Sequence, residues 1–115
     1  MSGGSKNCSA GLCRTLGFVG AKFVYVFQPE TLEGRTWDNR GLVEDVATGS
    51  AAAPLCSYLV RHGCCQKAER IVISQGRQVG RPSRICGWVA KNGTVTIQGD
   101  VVFFASGILS LGVLQ

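Results

Sequence analysis

Ten residues, Ala51–Val60 (AAAPLCSYLV), constrain this chain more than any others. All are apolar or small except Ser57. Read at 3.6 residues per turn they leave no polar face, and a helix without one belongs in a core. Pro54 lacks a backbone N–H and is tolerated only near the first turn, so the helix must begin close to Gly49 or Ser50. Ser50 is placed to cap it, its hydroxyl accepting from an orphan N–H. Gly63 suits the left-handed residue that closes a helix. His62, the single histidine, then sits where the dipole favours a cation. A buried helix over 51–62 in a chain of only 115 residues implies a sheet wrapped around it.

The rest of the chain supplies strands. Ala21–Gln28 mixes β-branched and aromatic residues, with Phe23, Tyr25 and Phe27 on one face and Lys22, Val24 and Val26 on the other. A short strand is expected at Arg35–Trp37. Arg70–Gln75, Arg84–Ala90 and Thr94–Gln98 follow. The last two flank Lys91-Asn92-Gly93, where Asn92-Gly93 signals a hairpin because both residues accept positive φ. Val101–Ala105 and Ile108–Leu114 read as closing strands. The pattern predicts about six strands and one long helix. The expected class is α+β, a mixed and mostly antiparallel sheet around one central helix. Residues 1–19 are expected to be a flexible leader, and 20–115 a single domain.

Composition removes several functions. At 45% hydrophobic and 17% charged residues, the chain can build a core and is not a disordered segment. The net charge is +5, yet the arginines are scattered and form no basic run interleaved with aromatics. That argues against nucleic-acid binding. The six cysteines include no C-x-x-C pair, which argues against zinc. Cys56 and Cys86 fall in core-like segments, and adjacent Cys64-Cys65 cannot bridge each other without strain. Free thiols are expected, and with them a reducing cytoplasm. No apolar run is long enough to span a membrane.

Two loops carry chemistry. In Glu44-Asp45-Val46-Ala47-Thr48-Gly49-Ser50-Ala51, small residues let a ligand approach the backbone. The helix N-terminus offers free N–H groups and the positive dipole end, which favour a carboxylate or phosphate. Thr48 and Ser50 add hydroxyls, and Glu44 and Asp45 add carboxylates able to act as acid or base. The same residues also fit an ordinary capped helix start. Gln75-Gly76-Arg77-Gln78-Val79-Gly80-Arg81-Pro82-Ser83 is the second loop. Arg81 could pair with a substrate carboxylate or with Glu44 or Asp45. The alternative is a tight basic turn.

Together these loops resemble the C-terminal half of the phenazine-biosynthesis-like (PhzF-type) isomerases. That family carries E-D-P-A-T-G-S-A followed by Q-G-x-x-M-G-R. The resemblance covers roughly residues 20–110. It implies a diaminopimelate-epimerase-like fold of two similar domains, each a sheet around a helix, with the site between them. It implies proton transfer at carbon with no metal or organic cofactor. Asp45 would be the catalytic acid facing the cleft. Thr48, Gly49, Ser50 and Ala51 would bind substrate, with Glu44, Gln75, Gly76 and Arg81 in support. Val46 replaces the motif proline. The family's principal acid/base glutamate belongs to the other half, which residues 1–19 cannot supply. The expected function is therefore a half-module acting on a small carboxylate-bearing molecule, as a homodimer or with a complementary N-terminal half. The alternative is an inert anion-binding or interaction module of the same fold.

Overall fold

The structure, a computed structural model, describes residues 14–112. The expected helix is present as α1, Gly49–Arg61, with Pro54 inside its second turn. Gly63 follows at φ +73°, as its place after the helix requires. The N-cap differs from expectation. It is Thr48 rather than Ser50, with φ −124° and ψ 87°, and no side chain caps the helix. The Thr48 carbonyl accepts from the N–H groups of Ala51 and Ala52, which fixes the first turn two residues earlier.

Five strands form one mixed sheet. They are β1 (Tyr25–Gln28), β2 (Glu33–Thr36), β3 (Ile71–Gln75), β4 (Ser83–Val89) and β5 (Val95–Gln98), in spatial order β1-β2-β3-β4-β5. Each neighbouring pair is antiparallel except β2–β3, which is parallel. That parallel pair is the one joined through α1, as a crossover demands. β2 begins earlier than expected, and Trp37 forms an isolated bridge with Glu44 instead. The β4–β5 hairpin forms as read, but only Gly93 takes a positive φ, at +90°. Its turn is therefore a longer loop with one left-handed residue, not the two-residue type.

The period-2 pattern puts Ile71, Ile73 and Gln75 of β3 and Ile85 and Val89 of β4 on one buried face. Ala52, Leu55, Cys56 and Leu59 of α1 pack onto it. Burial raises the Cys56 thiol above its ordinary pKa. α1 lies against β4 and β5, and at the other end of the sheet the Phe27 ring of β1 meets Tyr58 edge-on at 5.6 Å. The sheet thus curls round one side of the helix. Pro54, Ser57 and Tyr58 stay exposed, so burial all round is not reached.

Among the described residues the closing strands are absent. Residues 99–112 carry no strand, and Val101, Phe104, Ile108 and Leu111 are each at least 92% exposed. β-branched and aromatic residues favour strands only where a partner edge and an apolar face receive them. The tail has neither. The segment 1–13 of the expected leader lies outside the described residues. Residues 14–18 are helical, and the Ala21 N–H bonds the Leu16 carbonyl just beyond them.

Candidate functional site

The chain from β2 to α1 runs along the rim of a cleft of about 960 Å³. Its lining is apolar at Phe23, Phe27, Leu55 and Tyr58 and polar at Asp45, Thr48, Ser50 and Arg81. The fold brings both sequence loops to this rim. Asp45 is exposed and Thr48 half-buried, with Gly49 and Ser50 at the open start of α1. With no capping side chain and no acidic residue in the first turn, this end keeps its positive potential for a ligand.

The two loops are sewn together at two carbonyls. Gln75, only 2% exposed, donates from Nε2 to the Asp45 carbonyl at 2.9 Å and to Thr48 Oγ1 at 2.8 Å. Ser83 Oγ donates to the Val46 carbonyl at 2.5 Å. Thr48 Oγ1 in turn donates to Asp45 Oδ2 at 2.7 Å. The loop therefore holds its shape with Val46 where the family motif has proline.

Gly76 seals the junction. It sits at φ +83°, and a Cβ there would lie 2.3 Å from the Arg81 carbonyl and 2.8 Å from that of Val46. Both neighbours are backbone and cannot swing away. Gly76→Ala is expected to cost about 1–3 kcal/mol, from left-handed strain and this clash. Urea unfolding of the two proteins measures it. A loss below about 0.5 kcal/mol would show that the loops do not close on each other.

The charged residues divide by role. Glu44, its side chain 7% exposed, takes two 2.8 Å hydrogen bonds from Arg35. Arg35 also lies over the Trp37 ring at 4.9 Å. Glu44 is therefore committed to the scaffold, and the pair raises the Arg35 pKa. Arg77 grips Glu33 through two bonds at 2.8 and 3.0 Å, and its hydrogen bonds hold the Glu33 carboxyl below its ordinary value. Asp38 accepts from the Val43 and Leu42 N–H groups, which lowers its pKa. Arg81 is exposed and lines the cleft.

One participant was not visible in the sequence. Tyr25 of β1 donates its hydroxyl to Gln75 Oε1 at 3.0 Å, across 50 positions of chain. Strand alternation put Tyr25 on one face with Phe23 and Phe27 but gave no sign of its partner. Among the described residues, no group of three or more His, Cys, Asp or Glu gathers as metal ligands. No helix of theirs is long and apolar enough to cross a membrane.

A mixed sheet around a helix, with an acidic loop entering the helix start, defines the half-barrel of the epimerase-like isomerases. The chain belongs to the phenazine biosynthesis-like protein family, whose model matches residues 7–107. It is 41% identical over 88 residues to trans-2,3-dihydro-3-hydroxyanthranilate isomerase of Pseudomonas chlororaphis, a match covering 68% of this chain and 32% of the relative. The enzyme of that name from Pseudomonas aeruginosa is 40% identical over 84 residues, covering 64% and 30%. A solved structure described as a predicted epimerase from Pseudomonas aeruginosa superposes with a TM-score of 0.77 at 48% identity. It covers 86% of this chain and 36% of that one. The chain thus spans about a third of the length of these relatives.

Proposed function

We propose that this chain forms one wall of an isomerase cleft that moves a proton on a small carboxylate-bearing substrate without a cofactor. A second copy, or a complementary domain carrying a second acid/base group, would form the other wall. The observation that carries this reading is the Asp45 carboxylate at the cleft mouth beside the uncapped start of α1. The carboxylate would transfer the proton, while the Gly49 and Ser50 N–H groups and Arg81 would hold the substrate's negative charge. The apolar wall of Phe27, Pro54 and Tyr58 suits an unsaturated ring. The relatives' named substrate, trans-2,3-dihydro-3-hydroxyanthranilate, combines such a ring with a carboxylate. The free thiols of Cys56, Cys64, Cys65 and Cys86 favour a reducing, cytoplasmic setting.

The span of a third of the relatives' length supports a second reading, an anion-binding module without turnover. Incubation with trans-2,3-dihydro-3-hydroxyanthranilate in D2O separates the two. The isomerase reading expects deuterium at carbon and a species larger than monomer in sedimentation. A chain that binds the compound without exchange, both alone and mixed with a complementary N-terminal domain of the family, establishes the inert module.

A further inference from the structure

The hydrogen bonds beneath Asp45 have only one possible direction. The Asp45 carbonyl is an acceptor and nothing else, so the Gln75 group that meets it at 2.9 Å must be the NH2 end. That choice turns the Gln75 oxygen toward Tyr25, whose hydroxyl must then donate. The same NH2 end donates to Thr48 Oγ1. The Thr48 proton is left to point at Asp45 Oδ2, 2.7 Å away. One backbone carbonyl therefore orients three side chains in series. The series starts at a half-buried phenol and ends on the carboxylate of the residue that supplied the carbonyl.

We infer that Tyr25, Gln75 and Thr48 form a one-way hydrogen-bond relay that fixes the rotamer of the Asp45 carboxylate and leaves its second oxygen, Oδ1, for substrate. These are positioning residues, and the inference rests on the proposed role of Asp45. A carboxylate held through one oxygen presents the other at a defined place, which proton transfer needs, since a misplacement of about 1 Å can cost about 100-fold in rate. The sequence protects the relay at its far end. A Cβ at Gly34 would stand 2.0 Å from the Tyr25 hydroxyl, so only glycine on β2 lets the phenol reach Gln75. The Tyr25 pKa is raised by burial first and by the Asp45 charge second, so the two ends act on each other.

The test is tyrosine titration by NMR on the full chain, with no substrate present. The two tyrosines are labelled at Cζ, and Tyr58→Phe assigns the signals. Asp45→Asn keeps the shape of the loop but removes the charge, and the Tyr25 midpoint is expected to fall. Gly34→Ala, at a backbone conformation that alanine accepts, should also move it by displacing the phenol. At the other end, Thr48→Val should shift the Asp45 carboxyl carbon resonance, and Thr48→Ser should restore it. A Tyr25 midpoint unchanged by Asp45→Asn, or an Asp45 resonance indifferent to Thr48→Val, overturns the relay. Because no turnover is measured, that result would leave the isomerase reading standing. Absent exchange would likewise leave the relay standing.

Discussion

Leu59→Ala is expected to lower the free energy of unfolding by about 2–5 kcal/mol. Leu59 is fully buried on α1, facing the apolar floor built by Ile71, Ile73, Ile85 and Val89. Its carbonyl also receives the N–H groups of Cys64 and Cys65, which close the helix. Backbone fixed at that point cannot collapse into the space a leucine leaves, so the cavity term adds to the lost transfer energy. Domains of this size hold about 5–15 kcal/mol in all. With a urea m-value of about 1–3 kcal/mol/M, the midpoint should fall by about 0.7–5 M. Leu111→Ala is the comparison. Leu111 is 96% exposed and should change stability by less than about 0.5 kcal/mol. Equal losses at the two sites would mean that the tail, not the α1 face, holds the core.

That contrast shows what the sequence could disclose. The helix was legible because Pro54 and Gly63 punctuate an apolar run, and those are local, steric signals. β3 and β4 were legible because alternation over five to seven residues needs only one buried face. Val101–Phe104 carries the same residue types and forms no strand, because strand formation depends on a neighbour that composition cannot show. The cap was misplaced for a related reason. Thr48 and Ser50 both carry a hydroxyl, and the decisive fact is that the Thr48 hydroxyl is held between Gln75 and Asp45. The loop 44–51 could be read through its motif, but the division between Glu44 and Asp45 could not. It is Arg35, nine positions upstream, that takes Glu44 into the scaffold and leaves Asp45 at the cleft.

On the proposed isomerase reading, Asp45→Asn should reduce proton exchange on substrate by about 10²–10⁴-fold, the usual contribution of a positioned acid or base. That corresponds to about 2.7–5.5 kcal/mol of barrier. The substitution is well suited to isolate the chemistry. An amide oxygen still accepts from the Thr48 hydroxyl, so the loop and the uncapped start of α1 should keep their places. The Gly49 and Ser50 N–H groups and Arg81 are untouched, so binding of the carboxylate should stay within a few-fold in calorimetry. A fall in rate with binding retained identifies Asp45 as the group that handles the proton. Glu44→Gln is the discriminating neighbour. Its carboxylate is the buried partner of Arg35, so its loss should appear in thermal unfolding before it appears in exchange. If the pattern were reversed, with Glu44→Gln abolishing exchange and Asp45→Asn leaving it intact, the catalytic carboxylate would be the wrong one of the pair. If both variants matched the wild type in deuterium incorporation, the proton would be moved by a group outside this loop, and the cleft would be reduced to a binding surface.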